Sequence, residues 1–456
     1  MVALALARSS YLALAAHHRF ETFLSLWPID LANINQAIWN TAHGAPFVST
    51  ILDNGLRGHF DPVLMLLSPP YLVSDSIFWV FLLYSLVISS GAVAVHLLAR
   101  RAMAGALLPA LLALYYLTYS PLLELDVLQI RGDVLAVPLL LFAFYFYFRQ
   151  RFAPFVAFCA LALLCKETVA VVVVLWGGYA LISRRSRRWV LAPALAGLAV
   201  IVFTLFIYHP FIQGTAYKHS GLVVDTIDLD PAVIGHLPSW TFLVTRYFLY
   251  YGLVGLLHPA PLALASPFLA GAFIWQRVLL EEMWFHCFAP AYPFLFVSVV
   301  LATGGLLARH SRSRALPVAV ALALLASSGL MLVQSRALLR LPEPNEEDRA
   351  LWALIRQVPP EASVAGPPLA LAPLSTRPLV RCLVIKDYKG ASMDVLAVDY
   401  VLVKDGPAPW SRLIVSKKGG ALDADYRATV QQVRSDPAFE RVDARLGWEL
   451  YRRIGP

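Results

Sequence analysis

The sequence predicts an all-α polytopic membrane protein with a small C-terminal α/β domain, and three observations carry that prediction. First, 59% of the 456 residues are hydrophobic and only 14% are charged, against about 45–50% apolar and about 25% charged in ordinary soluble domains. Second, long apolar runs alternate with short arginine clusters, and the mean hydropathy is +0.65. Third, the composition changes after Val333, where charged residues, prolines and short alternating stretches replace the apolar runs. The net charge of +8 does not point to nucleic acid. Its arginines sit between apolar runs, as in cytoplasmic loops under the positive-inside rule. Cys159, Cys165, Cys287 and Cys382 form no close pair, which argues against a zinc site or a disulfide framework and for small core residues.

Taken in order, MVALALARSSYLALAA is broken by Arg8 and shows no cleavage site, so it reads as a first membrane helix rather than a signal peptide. It falls below the ~20 residues of a usual span, which reads as a truncated or misassigned start. Spans follow at Phe78–Leu98, Met103–Tyr119, Val134–Phe148, Trp189–Tyr208, Thr241–Leu257, Pro261–Trp275, Phe288–Leu307 and Leu316–Val333. Placing every arginine cluster in the cytoplasm gives one orientation. The first loop, the polar stretch Glu124–Asp133, the loop His209–Ser239 and the C-terminal region then lie outside it.

The run Phe152–Ser183 has arginine clusters at both ends, so both ends belong in the cytoplasm. Its length suits a hairpin of two ~15-residue arms reaching about 22 Å into a layer of about 30 Å. Lys166 and Glu167 fall at its tip, where charges face a cavity or one another. Two readings stand: a self-satisfied Lys166–Glu167 staple, or a lysine that meets a lipid phosphate.

Beyond Val333, a proline-rich linker leads to an amphipathic helix with Leu351, Leu354, Ile355 and Val358 at helical spacing. ASVAG, DYVLVKD and WELYRR read as strands, and ADYRATVQQVRSDPAF reads as a helix. Gly390, Gly406, Gly419 and Gly420 read as turns.

The densest chemistry lies in the first loop, IDLANINQAIWNTAHGAPFVSTILDNGLRGHFDP, which also holds Asp53, Asn54 and Arg57. Asp30 opens a run with Leu31, Ile34, Ile38 and Trp39 near helical spacing. It reads as an N-cap of a surface helix, as a general base, or as a cation ligand; a capping carboxylate stays available to a substrate. His59 and Asp61, two apart, could both face one side of an extended segment as metal ligands. Asp61 before Pro62 is equally a helix start. Glu124, Asp126, Arg131 and Asp133 form either a solvated rim or, for Arg131 and Asp133, a phosphate-facing pair. His209, His219, His236, His258 and His286 show no ligand spacing. Glu281 and Glu282 before Trp284 read as an interfacial edge.

DLANINQAIWNTAHG followed by HFDPVLMLLSPPYLV resembles the membrane family called domain of unknown function 2079. The resemblance continues through RGDVLAVPLLL, CKETVA, VPPEASVAG, LSTR, DYVLV and SDPAFERV to WELYRR. It departs at Ala32-Asn33-Ile34, at Phe285-His286-Cys287, and at Asp61, where serine is commoner. That family is similar to the GT-C class of integral-membrane glycosyltransferases, which carry an acid on the first outside loop and use polyprenyl-phosphate sugars. The resemblance implies Asp30 as catalytic acid/base and Lys166 as a donor-phosphate contact.

The expectation is therefore a GT-C-like frame of about eleven membrane segments, two of them partial, over residues 1–334, with the first outside loop at 19–76. An extracytoplasmic α/β domain follows over 335–456. The protein is expected in the cell (inner) membrane, transferring sugar from a polyprenyl-phosphate donor to a glycan, lipid or protein acceptor on the outer side. Asp30 is the expected catalytic residue. Lys166, Glu167, Arg131, Asp133, Gln36 and Trp39 are the expected substrate contacts, and His59 and Asp61 the candidate ligands of a divalent cation (Mg or Mn). A non-catalytic lipid-binding or transport protein on the same frame is the alternative; polar residues concentrated in loops, rather than in repeated broken helices, favour the enzyme.

Overall fold

The computed structural model describes residues 1–25, 27–51, 59–212, 247–268, 286–384, 387–388, 391–392, 394–409 and 419–455. Asp53, Asn54, Arg57, His219, His236, Glu281, Glu282, Trp284 and Gly390 lie outside them. Fourteen α-helices are described: α1 (Val2–Glu21), α2 (Pro28–Ala42), α3 (Phe78–Ala102), α4 (Leu107–Leu117), α5 (Ser120–Leu128), α6 (Gly132–Phe148), α7 (Phe152–Leu163), α8 (Glu167–Ile182), α9 (Arg187–Phe203), α10 (Tyr292–Arg309), α11 (Ala315–Gln334), α12 (Glu346–Ile355), α13 (Pro368–Leu374) and α14 (Gly419–Ser435). Among the described residues four helices are long and apolar enough to cross a membrane: Phe78–Ala102, Arg187–Phe211, Phe288–Arg309 and Ala315–Gln334. The pair α4–α5, bent by 44°, makes a fifth if it is one span.

The helices of the middle of the frame bury both sides. α3 and α6 pack together and against α1, α4, α7 and α10, and Tyr84, Tyr115, Tyr116, Tyr119 and Phe144 are fully buried among them. α9 and α11 instead leave leucines and valines exposed along most of their length, as lipid-facing helices do. α8 and α9 run in close contact, and Gly197 permits it: a Cβ there would lie 2.7 Å from the Ala170 carbonyl oxygen.

Several expectations change here. The first helix is longer than its apolar run suggests, because Arg8 is neutralised inside the protein. Its Nη1 lies 2.7 Å from Asp126 Oδ2 and 2.7 Å from Ser89 Oγ, and its Nε donates to the Leu117 carbonyl. The stretch holding Glu124 and Asp126 is accordingly not an outside loop. It forms the buried helix α5, with Pro121 in its first turn; its leucines pack inward, Asp126 answers Arg8, and Ser120 donates to Glu124. The two expected spans after 240 are described only in part, as 3-10 turns at Tyr250–Leu257 and Pro261–Ala265 with α-helix at 266–268. The loop expected from His209 begins as a π-helix, Thr204–Ile212, and its remainder to 239 lies outside the described residues.

The C-terminal segment forms a mixed five-stranded sheet in the order β2-β1-β5-β7-β6, from β1 (Val364–Gly366), β2 (Val380–Cys382), β5 (Tyr400–Lys404), β6 (Phe439–Arg445) and β7 (Trp448–Arg453). A separate ribbon pairs β3 (Asp387–Tyr388) with β4 (Ala391–Ser392). β1 runs parallel to β2 and β5, with α13 as the crossover, whereas β7 is antiparallel to β5 and β6. Helix α12 carries a capping box between Asn345 and Asp348, and Leu351, Leu354, Ile355 and Val358 are buried. Gly419 and Gly420 open helix α14 rather than making a turn; Gly406, at φ +95°, does turn.

Candidate active site

The site is built where three chain segments meet at one end of the frame: the start of α2, the turn before α6, and the tip of the α7–α8 hairpin. The sequence sets each locally. Pro28 fixes the first turn of α2, with Trp27 as N-cap. Asp30 therefore sits inside the first turn and is not the cap, and its carboxylate is turned to another partner. That partner is Arg131, which caps α6 and whose Nη2 pairs with Asp30 Oδ2. The Asp30 side chain keeps 44% exposure while Arg131 keeps 14%, so the pair presents a carboxylate on an accessible surface held by a largely buried cation.

Arg131 is held in turn. Its Nε donates to Gln129 Oε1 at 3.1 Å, and its backbone N–H donates to the Tyr84 hydroxyl at 3.1 Å. Neither Gln129 nor Tyr84 stood out in the sequence. A tyrosine inside an otherwise apolar span was the available signal.

The hairpin tip lies against the same turn. α7 ends at Leu163 and α8 begins at Glu167, so Lys166 is the N-cap of α8. Lys166 and Glu167 do not staple one another as one reading had it. Lys166 Nζ lies 2.8 Å from Asp133 Oδ2, with side chains 5% and 1% exposed. Glu167 Oε1 lies 2.6 Å from His59 Nδ1, and Glu167 Oε2 accepts the Phe60 backbone N–H at 3.0 Å. Opposite charges at an N-cap and at the first helical residue are thus each drawn to a different neighbouring segment. The Val63 N–H donates to the Leu164 carbonyl, tying the first loop to the tip directly.

Gly132 is the joint between these parts. A side chain there would fall on the Cys165 carbonyl oxygen and within 2.9 Å of Asp61 Cβ. Gly132→Ala is expected to push the hairpin tip off the α6 turn and to destabilise the protein by about 1–3 kcal/mol, in the range of over-packed interiors. A thermal melt of the purified variant checks this, and an unchanged midpoint would show that the two segments are not in contact.

Asp61 stands beside this joint. Its N–H donates to the His59 carbonyl, so 59–61 turns instead of running extended. A 3-10 helix begins at Pro62 as expected of a proline start, with Asp61 as N-cap. Burial, helped by Glu167 and Asp133 and opposed by His59 and Lys166, pushes the Asp61 carboxyl up to about 6. Because this lies above the unfolded value, Asp61 stabilises the fold at pH below about 4, and that contribution is lost as pH rises through about 6. Asp61→Asn should therefore flatten the decline in stability between pH 4 and 7, melting closer to wild type at low pH and higher above pH 6.5. The opposite ordering would sink the assignment.

Among the described residues no group of three or more His, Cys, Asp or Glu could hold a metal ion. His59 Nδ1 is taken by Glu167. The described residues bring only His59 and Asp61 of the expected ligands to this place.

Gln36 and Trp39 lie elsewhere. Gln36 is fully buried; its Nε2 donates to Thr50 Oγ1 and to the Arg377 carbonyl, and its Oε1 accepts from Ser49 and from the Thr50 N–H. With Asn35, which donates to Ser375 Oγ at 2.8 Å, it docks α2 onto the C-terminal domain. Its amide is consumed by the fold. Trp39 stacks on His43 at 3.9 Å and donates to Asp75 at 2.9 Å, about 13 Å along the helix from Asp30 at 1.5 Å per residue.

The family profile described as predicted membrane protein (DUF2079) matches residues 27–421. No curated protein matches the chain. Among solved structures, ArnT from Cupriavidus metallidurans bound to undecaprenyl phosphate is similar at a TM-score of 0.60 and 14% identity, over 100% of this chain and 99% of that one. Its apo state gives 0.54 at 13% identity, over 100% and 99%. The Archaeoglobus fulgidus oligosaccharyltransferase, in complex with Zn and sulfate, gives 0.46 at 12% identity, over 88% of this chain and 68% of that one.

Proposed function

The chain belongs to the DUF2079 family of predicted membrane proteins and has a GT-C-like fold, and from that premise we propose that it is a glycosyltransferase acting on a polyprenyl-phosphate sugar, with the acceptor taken from the extracytoplasmic side of the membrane. The observation that carries the reading is the Asp30–Arg131 pair: an accessible carboxylate whose partner cation is anchored beside a second, buried cation, Lys166. That arrangement supplies the two needs of glycosyl transfer. A base takes the proton from an acceptor hydroxyl as it attacks the anomeric carbon. Fixed cations stabilise the phosphate that leaves with the lipid.

In this reading Asp30 is the base, and Arg131 and Lys166 contact the donor phosphate. Arg131 also masks Asp30 before substrate arrives. A phosphate that draws the guanidinium away releases the carboxylate for proton transfer, so the base is unmasked when the leaving group is in position. Asp133 holds Lys166, and His59 holds Glu167, as positioning residues. The similarity to ArnT, which is bound to undecaprenyl phosphate in one of its structures, supports the lipid-phosphate donor class. The C-terminal sheet, which grips α2 through Asn35 and Gln36, is read as extracytoplasmic with the site.

The test is native mass spectrometry of the purified protein followed by incubation with a polyprenyl-phosphate hexose and mixed envelope glycolipids. Release of free polyprenyl phosphate coupled to a mass gain on an acceptor is expected. Binding of the donor with no turnover under any acceptor would favour the lipid-binding alternative.

A further inference from the structure

The far end of the hairpin carries six arginines at two turns: Arg149 and Arg151 between α6 and α7, Arg184 and Arg185 between α8 and α9, and Arg187 and Arg188 at the start of α9. From residue 134 to 224 the sequence contains one acid, Glu167, and it stands at the opposite tip. Among the described residues none of the six arginines has an ion-pair partner. Five are exposed and Arg185 is half-buried.

The two turns are built alike and face each other. In each, a non-glycine residue takes the left-handed conformation, Gln150 at φ +54° and Arg184 at φ +52°. In each, the next N–H closes back on the helix, Arg151 on the Phe146 carbonyl and Arg185 on the Ala180 carbonyl, the capping pattern that glycine usually occupies. Backbone strain of this kind is retained where the surroundings over-determine it, commonly at functional sites. Across the gap, the Arg185 guanidinium lies 4.8 Å from the Tyr147 ring and 5.9 Å from that of Trp189, and Arg188 lies 5.1 Å from the Phe152 ring. Arginines of the second turn thus rest on aromatics that flank the first. Tyr147 is 1% exposed, so it gives Arg185 a buried ring to rest on.

Guanidinium groups with no counter-ion among the described residues, two of them resting on aromatic rings, suit phosphate oxygens. Leu181, Ile182, Leu191 and Leu195, all exposed on α8 and α9, supply an apolar wall for acyl chains next to it. We propose that this basic face is a binding site for the headgroup of an anionic phospholipid, most favourably one with two phosphates, which bridges the two turns. The arms of the hairpin are about 18 and 24 Å long at 1.5 Å per residue. A lipid that pins their base therefore braces the tip that carries Lys166.

The experiment uses the full chain, delipidated in detergent and titrated by native mass spectrometry with tetraoleoyl diphosphatidylglycerol, dioleoyl phosphatidylcholine and inorganic pyrophosphate. Preferential binding of the diphosphatidyl lipid is expected, with no binding of pyrophosphate at the same concentration. Arg184→Gln, Arg185→Gln and Arg188→Gln together should weaken it on the order of a hundredfold, at roughly fivefold for each arginine near the surface. Arg309→Gln, Arg312→Gln and Arg314→Gln neutralise a separate basic turn and should leave it unchanged. Equal weakening by both sets would reduce the effect to general charge and overturn the site, as would equal binding of phosphatidylcholine or capture of pyrophosphate. Arg185→Lys, which keeps the charge but not the planar fork, should give an intermediate loss. If the first triple variant aggregates, the exposed single variants Arg184→Gln and Arg187→Gln carry the comparison, and binding unchanged in both overturns the proposal.

Discussion

Replacing Asp30 by Asn is expected to lower sugar transfer by about two to four orders of magnitude, the usual range for loss of a positioned general base. The change keeps size and hydrogen-bonding capacity, and Asp30 is part-exposed with no cap to lose, so the fold should survive. Arg131 then loses its anionic partner. If it contacts donor phosphate, the donor should bind as tightly as before or more tightly, because the mask is gone. A fall in turnover with donor affinity preserved is therefore the signature of a base. A fall in donor affinity with turnover preserved would assign Asp30 to positioning Arg131, and full activity in a normally folded variant would remove it from the chemistry.

Lys166→Met should have the largest effect on stability. The lysine and Asp133 are both almost wholly inaccessible, and removing one partner of a buried pair typically costs about 3–5 kcal/mol, because the other charge is stranded. The double variant Lys166→Met with Asp133→Leu removes both charges and should regain most of that loss. Donor binding should not return with it if Lys166 touches the phosphate. Thermal melts and donor titrations of the single and double variants separate the two roles. A double variant that binds donor normally would confine Lys166 to the structure, and a single variant that melts like wild type would contradict the burial of the pair.

Much of the architecture was legible in the chain because it follows from local rules. Apolar runs bounded by arginines marked α3, α6, α10 and α11 to within a few residues. Short stretches rich in β-branched and aromatic residues marked β5 and β7, and a 3.6-residue period marked α12. The break at Lys166 was legible too, since two arginine clusters forced the intervening apolar run to fold back. Where the reading failed, long-range pairing had cancelled a local signal. The acids of 120–128 read as a loop because nothing beside them in the chain pairs with Asp126; Arg8, more than a hundred residues away, does so, and the stretch is a buried helix. Gln36 read as a substrate contact because polar residues in a first loop suggest one, yet its partners include the Arg377 carbonyl on the far side of the chain.

Composition, period and motif were enough for the membrane class, the tether to a small sheet, the family, and the choice of Asp30 and Lys166 as candidates. Only the tertiary structure decided who pairs with whom. Lys166 lies against Asp133 and not its neighbour Glu167; Glu167 lies against His59; and Arg131 lies against Asp30, 101 positions away in the chain. The physical reason is that ion pairs are chosen by distance in space and by the loss of water around each charge. Neither is written in the spacing of residues along the chain.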